Sequence, residues 1–119
     1  MSKTSKWCVN KTRLTIYDKQ VFFDTRFGDK YWFLNDKLHR ENGPAVEDAN
    51  GNKWWYLNGK RHRENGPAIE YANGTKLWYL NGELHRENGP ACEYASGGKE
   101  WWLNDKEYSE SGYWKELDE

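Results

Sequence analysis

The chain has 119 residues, which is enough for one domain and too few for two domains of ordinary size. Its mean hydropathy is low, at −1.19, yet 17% of its residues are aromatic, including 8 Trp and 8 Tyr, which argues against disorder. The longest apolar run, residues 54–57, is too short to span a membrane. The formal net charge of −1 gives no global basic field, so we expect no nucleic-acid partner and no membrane partner.

The N-terminal part, residues 1–19, is expected to be a separate segment or cap. It contains lysines but no apolar stretch typical of a secretory signal. Residues 2–19 either form an extra strand pair around residues 13–17 or become ordered only on binding. The two cysteines, Cys8 and Cys92, form neither a disulfide framework nor a metal signature, so we expect a cytoplasmic protein without a cofactor.

An internal repeat of constant period occupies residues 20–106. The string His-Arg-Glu-Asn-Gly-Pro-Ala occurs three times, at 39–45, 62–68 and 85–91. A second string, Trp-aromatic-Leu-Asn followed by Gly or Asp, has the same period and begins at Trp32, Trp55, Trp78 and Trp101. The first and last copies are atypical, as expected of stacked repeats whose end units face water.

Each repeat is predicted to contain a β-hairpin that turns at an Asn-Gly pair. Asn73 and Gly74 separate two strand-like runs and predict a two-residue turn in which both residues have positive φ. The predicted register places Ile69 opposite Trp78, with Val46 opposite Trp55 and Cys92 opposite Trp101 in the neighbouring copies. We therefore predict an all-β fold, an antiparallel meander of repeated 23-residue β-hairpins that forms one elongated twisted sheet of roughly eight to ten strands. The tryptophans, with the residues opposite them, are expected to form the core face, and Cys92 to be a buried small hydrophobe.

The opposite face is predicted to carry an aromatic stripe. In the predicted register small residues such as Ala45 and Ala68 face large rings, and carboxylates flank them. Contiguous exposed apolar surface usually marks an interaction site, although the chain termini or a second copy of the protein are the alternative cover. The rings concerned are Phe33, Trp54, Tyr56, Tyr79 and Trp102.

The His-Arg-Glu-Asn connections are expected to be loops that emerge from one edge like the teeth of a comb. Equivalent histidines lie two strands apart, roughly 10 Å, so they cannot share a zinc ion. Because no serine or cysteine lies beside a positioned base, we expect no enzyme and no metal site. Arginine and glutamate of adjacent loops either pair with each other, or Arg40, Arg63 and Arg86 form a basic edge that contacts a partner.

The C-terminal residues 107–119 are expected to be a cap. In this last copy Tyr108-Ser109-Glu110 replaces the His-Arg-Glu string of the earlier copies. The tail from Tyr113 onwards is predicted to be either a strand or a short helix that closes the open edge of the sheet.

The strings Tyr-Ala-Asn-Gly-x-Lys and Trp-Tyr-Leu-Asn-Gly-Lys resemble MORN repeats, particularly the diverged YwqK-like class, over residues 20–106. Together with the His-Arg-Glu-Asn-Gly-Pro-Ala string they look like small proteins encoded by tailed phages and giant viruses. The resemblance implies an elongated sheet of hairpins that serves as a binding platform without catalysis, and the YwqK-like class implies immunity to a toxin. The longer connection and the absence of a Gly-x-Gly strand start depart from the usual MORN pattern and argue against lipid binding.

The leading functional hypothesis is a non-enzymatic binding protein, in its concrete form a phage-encoded inhibitor of a host enzyme, toxin or defence complex in the host cytoplasm. The alternative is capture of a nucleotide, signalling molecule or glycan by aromatic stacking. We also expect a homodimer that buries one aromatic face. The predicted partner-binding residues are Phe33, Trp54, Tyr56, Tyr79, Trp102, Arg40, Arg63 and Arg86.

Overall fold

The structure is a computed structural model that describes residues 11–17 and 20–118. Over these residues the chain forms fifteen short strands and one helix, α1 (Glu110–Leu117). The strands are β1 (Lys11–Tyr17), β2 (Gln20–Thr25), β3 (Lys30–Leu34), β4 (Lys37–Leu38), β5 (Val46–Glu47), β6 (Lys53–Trp54), β7 (Tyr56–Leu57), β8 (Lys60–Arg61), β9 (Ile69–Glu70), β10 (Lys76–Leu77), β11 (Tyr79–Leu80), β12 (Glu83–Leu84), β13 (Cys92–Glu93), β14 (Lys99–Leu103) and β15 (Lys106–Tyr108).

One antiparallel sheet runs the length of the molecule. Its strand order is β1-β2-β3-β5-β6-β9-β10-β13-β14-β15, with β4 paired to β3. Two further hairpins, β7-β8 and β11-β12, form separate two-stranded sheets beside it. The molecule measures 52 × 28 × 19 Å, so the predicted all-β, elongated meander of hairpins is confirmed.

The first hairpin of each repeat turns through three residues rather than the predicted two. Ile69 pairs with Leu77, and the amide of Tyr71 donates to the carbonyl of Thr75 at 2.9 Å, so three residues lie outside the ladder. Gly74 has φ +99°, which fits a tight turn closed by a left-handed residue. The predicted two-residue turn is therefore wrong.

A shift of one residue exchanges the partners across the ladder, because side chains alternate between the two faces. The predicted partners of Val46, Ile69 and Cys92, namely Trp55, Trp78 and Trp101, are wrong by one residue. The actual partners are Trp54, Leu77 and Glu100. Trp32, Trp55, Trp78 and Trp101 still share one side, named here the tryptophan face. Phe33, Tyr56, Tyr79 and Trp102 share the other side, named the tyrosine face.

The buried residues are divided between the two faces, so the prediction of a single core face is wrong. Phe23, Val46, Ile69 and Cys92 are all buried, and their cross-strand partners place them on the tyrosine face. The alanines that precede the short strands are completely buried on the tryptophan face, namely Ala45, Ala68 and Ala91. Burial is therefore found on both faces of the sheet rather than on one.

A second hairpin lies in each repeat where the sequence predicts a loop. Leu57 pairs with Lys60, which leaves Asn58 and Gly59 as a two-residue turn with φ of +52° and +81°. Both values are positive, as a hairpin turn of this length requires. The strands around it are only two residues long, because the extended chain is interrupted at Trp55, and this explains why there are more strands than predicted.

Each end of the described chain adds one element to the repeats, a strand at one end and a helix at the other. Strand β1 pairs with β2, as one of the two alternatives for residues 13–17 proposes, while the expectations for residues 1–10 and for Cys8 fall outside the described residues. At the other end the tail forms α1 rather than a strand. Ser109 caps this helix by accepting a hydrogen bond from the amide of Gly112, and the helix packs on β14 and β15.

Candidate functional site

An arginine from the following loop covers the indole ring at three positions of the tryptophan face. The distances from the guanidinium carbon to the ring centroid are 3.7 Å for Arg40 on Trp32, 3.9 Å for Arg63 on Trp55 and 3.8 Å for Arg86 on Trp78. Such cation–π contacts are worth about 0.5–2 kcal/mol each, depending on how far the pair is desolvated. One side of each guanidinium plane is therefore in contact with the indole ring that precedes it in the chain.

The same arginines form ion pairs with a glutamate seven residues further along the chain. The distances between Nη1 and the carboxylate are 3.3 Å for Arg40–Glu47, 2.9 Å for Arg63–Glu70 and 2.8 Å for Arg86–Glu93. Nη1 also donates to the proline carbonyl within the same loop. The predicted pairing between arginine and glutamate of adjacent loops is therefore wrong, because each side chain folds back over its own loop.

The glycine of each loop leaves room for the arginine that folds back over it. A Cβ atom at Gly89 would lie 2.9 Å from the guanidinium carbon of Arg86, and the same approach at Gly43 and Gly66 would be 3.0 Å. This close packing explains the Gly of the His-Arg-Glu-Asn-Gly-Pro string by contact rather than by backbone conformation. In each loop the arginine side chain therefore packs between the glycine and the tryptophan ring.

The three histidines join each repeat to the next. Nδ1 of His39, His62 and His85 accepts the amide of the residue nineteen positions later, at 2.9, 2.9 and 3.0 Å. Accepting at Nδ1 requires the tautomer with the proton on Nε2. Nε2 in turn faces the glutamate two residues on, as close as 2.9 Å between His85 and Glu87, so the local His–Glu contact allowed by the sequence is present.

A second ladder between repeats was not predicted from the sequence. Side-chain oxygens of Asp29, Asn52 and Thr75, which occupy equivalent positions of successive repeats, accept the amides of Ala49, Ala72 and Ala95 at 2.8, 2.7 and 3.0 Å. The next residue in this series is Gly98, which has no side chain to continue the ladder. The sequence does contain a signal for this ladder, because a side chain with a polar acceptor recurs at this position with the repeat period.

The predicted stripe residues Phe33, Trp54, Tyr56, Tyr79 and Trp102 are all half-buried. Several have anchored edges: the Trp54 ring packs edge-on against Tyr71 at 6.0 Å, and Nε1 of Trp102 donates to Glu100 at 3.0 Å. A shallow groove of about 400 Å³ at one end of this face is lined by Tyr31, Val46, Asp48, Trp54 and Tyr56, among others. The structure thus places the five rings along one face, with part of each ring open.

Charge near this groove is negative. Burial raises the pKa of the Tyr31 hydroxyl, and the neighbouring carboxylates Asp29 and Asp48 raise it further. Desolvation alone would raise the pKa of Asp48, but hydrogen bonds from Asn52 and from the backbone amides of the turn outweigh it, so the pKa is lowered. The groove therefore presents an ionised carboxylate beside the neutral phenol of Tyr31.

Cys92 lies on the tyrosine face but beneath its surface. The side chain is only 2% exposed, and burial, with a contribution from Glu100, raises the pKa of the thiol to about 11. Since the thiolate is the reactive form, this cysteine is a packing residue rather than a nucleophile at neutral pH. Its predicted role as a buried small hydrophobe is confirmed.

Two open clefts separate successive loops on the tryptophan face. Cleft 1, about 560 Å³, has Trp55 and Leu57 at its base, residues 40–43 as one wall and residues 62–65 as the other. Cleft 2, about 710 Å³, repeats this arrangement one period later around Trp78 and Leu80. After the third loop, the place of the next loop is taken by α1.

Among residues 11–17 and 20–118, no group of three or more His, Cys, Asp or Glu side chains is arranged to hold a metal ion. In the same part of the chain, no helix has the length and apolar character needed to cross a membrane. Comparison with protein-family models, with curated proteins and with solved structures finds no match to this chain.

Proposed function

We propose that this chain is a non-enzymatic protein-binding module that docks on a partner through the tyrosine face and the clefts between its loops. The observation that carries the proposal is the row of half-buried rings, Phe33, Tyr56, Tyr79 and Trp102, repeated along a sheet within a molecule 52 Å long. Tryptophan, tyrosine and arginine are the residues that contribute most of the binding energy at protein interfaces. Rings fixed at their edges also lose little conformational entropy on binding.

The chemistry of the described side chains favours binding over catalysis. Each histidine has Nδ1 in a hydrogen bond to the next repeat, so that nitrogen is not available as a general base. The thiol of Cys92 is buried and protonated at neutral pH. A protein ligand is also favoured over a small ligand held between two aromatic rings, because a guanidinium group already covers one face of each of the indoles of Trp32, Trp55 and Trp78.

The concrete form that we propose is a phage-encoded inhibitor of a host enzyme, toxin or defence complex. Support for it comes from the resemblance of residues 20–106 to the YwqK-like class of MORN repeats. An extended sheet that presents equivalent rings once in every repeat is suited to covering an extended surface on its target. Interfaces of stable complexes cover roughly 800 Å² on each partner, which one face of such a sheet can supply.

The test is affinity purification from the native host with two matched triple variants. One variant carries Tyr56→Ala, Tyr79→Ala and Trp102→Ala on the tyrosine face. The control carries Lys53→Ala, Lys76→Ala and Lys99→Ala, which removes exposed side chains at the same spacing along the chain. We expect the wild type and the control to retain a partner that the ring variant loses, with circular dichroism showing that all three are folded. Retention of the partner by the folded ring variant would contradict the proposal.

Small-ligand binding and homodimer formation stay predictions. Tryptophan fluorescence titration against nucleotides, signalling molecules and glycans tests the first, and a saturable response would favour it over protein docking. Light scattering at micromolar concentration tests the second. A dimeric mass is expected, and a monomeric mass would contradict the expected burial of one aromatic face.

A further inference from the structure

The third loop of the repeat series shows what the space between loops can hold. Tyr113 of α1 is completely buried there, and its hydroxyl donates to the carbonyl of Arg86. The same hydroxyl accepts the amide of Gly89 at 3.1 Å. Its ring packs against the indole of Trp101, with 5.0 Å between the centroids. One phenol side chain thus pairs with a donor and an acceptor of the loop and covers a tryptophan.

The three groups that bind Tyr113 recur in the two open clefts. One repeat earlier, the positions of Arg86, Gly89 and Trp101 are held by Arg63, Gly66 and Trp78, all of which line cleft 2. Two repeats earlier, they are held by Arg40, Gly43 and Trp55, all of which line cleft 1. The loop carbonyl, the loop amide and the indole, named here the receptor, therefore recur in all three copies, and α1 fills the third one. The copies differ in that Arg63 and Arg86 already stack on one face of Trp55 and Trp78, whereas Ser109 replaces this arginine beside Trp101.

The polar groups of the receptor are open in the two clefts. Within the described ranges, no protein group hydrogen-bonds the amides of Gly43 and Gly66 or the carbonyls of Arg40 and Arg63. Gly89, whose amide bonds Tyr113, is buried, whereas Gly43 and Gly66 are half-buried and border open space. An amide and a carbonyl that face a cleft beside an indole match a ligand that supplies a hydroxyl on an aromatic ring.

We propose that cleft 1 and cleft 2 each accept a tyrosine side chain of the partner protein, held as Tyr113 is held in the third loop. The proposal rests on the proposed protein-binding function and names the chemistry that the partner must present. Two tyrosines on one partner, spaced to match adjacent repeats, would bind together and gain from the high effective concentration of the second site.

The test uses N-acetyl-tyrosinamide as the probe and N-acetyl-phenylalaninamide as its matched control, with amide chemical shifts measured on the isotope-labelled full chain. The tyrosine probe is expected to shift the amides of Gly43 and Gly66 saturably, while Gly89 stays unchanged because Tyr113 already occupies it. The phenylalanine probe lacks the hydroxyl and is expected to bind about tenfold more weakly. Equal responses to the two probes, or no shift at either glycine, would overturn the proposal.

A variant of the occupied loop gives an independent measurement. Tyr113→Ala vacates the third receptor, so the amide of Gly89 should join the responding amides and the tyrosine probe should raise the melting temperature. If this variant does not fold, the wild-type titration still decides the question. A partner captured through the tyrosine face without any response in the clefts would refute this inference and leave the proposed function standing. A response in the clefts with no captured partner would contradict the proposed function and leave this inference standing.

Discussion

Replacing Tyr113 by phenylalanine removes one oxygen atom from the best-packed contact of the C-terminal end. The ring and its contact with Trp101 remain, but the amide of Gly89 and the carbonyl of Arg86 lose their shared partner in a fully buried place. Leaving buried polar groups unpaired costs about 1–3 kcal/mol of unfolding free energy. For a chain of this size such a loss corresponds to a fall in melting temperature of roughly 4–12 °C.

The assay is urea unfolding followed by tryptophan fluorescence, with Tyr108→Phe as the control. Tyr108 lies in the same C-terminal region, and its hydroxyl has no hydrogen bond to any residue that the structure describes. We expect the control to remain within about 0.5 kcal/mol of the wild type, as is usual for substitutions away from buried contacts. Amide exchange should accelerate first near Gly89, because stacked repeats open from their ends. An equal loss in both variants, or no loss in Tyr113→Phe, would refute the reasoning.

The contacts between and within repeats give three further predictions. Thr75→Val keeps the shape of a buried side chain but removes the acceptor for the amide of Ala95. We expect the unfolding free energy to fall by about 0.5–1.5 kcal/mol and amide exchange at Ala95 to become faster. Unchanged exchange at Ala95 would contradict the hydrogen bond between these repeats. Arg63→Lys keeps the charge but loses the planar stack of the guanidinium group on Trp55. Urea unfolding should show that the unfolding free energy falls by about 1 kcal/mol. A variant as stable as the wild type would be evidence against the stack. Burial raises the pKa of the Cys92 thiol from its ordinary value of 9.0 to about 11. The folded state therefore keeps this proton at a pH where the unfolded chain loses it, so stability falls as pH rises from about 9 to about 11. Cys92→Val should flatten that fall, and identical pH profiles for the two proteins would contradict the assignment.

The features that could be predicted from the sequence are those that follow from the repeat period alone. The translation from one repeat to the next places Trp55 and Trp78 on one side and Tyr56 and Tyr79 on the other, whatever the exact turn. The ladder register depends on one residue of turn length, and Asn-Gly is compatible with both a two-residue and a three-residue turn. The stronger two-residue signal lies at Asn58, where strands only two residues long made the segment resemble a loop.

The clefts could not be predicted because they depend on tertiary contacts that no local pattern reports. The sequence shows an arginine in each loop but not that its side chain turns back onto Trp55 or Trp78. The role of Tyr113 follows only once α1 is placed against the third loop. Short-range propensity describes each hairpin, whereas the surface between hairpins is set by how successive copies are joined.

The most direct test of that joining is a nuclear Overhauser measurement on the three histidine rings. If successive repeats are related by one translation, the Hε1 proton of each ring lies close to the amide proton nineteen residues later. We expect cross-peaks of similar intensity for His39 with Asn58, His62 with Asn81 and His85 with Asn104. Absence of the cross-peak from any of the three copies would contradict it.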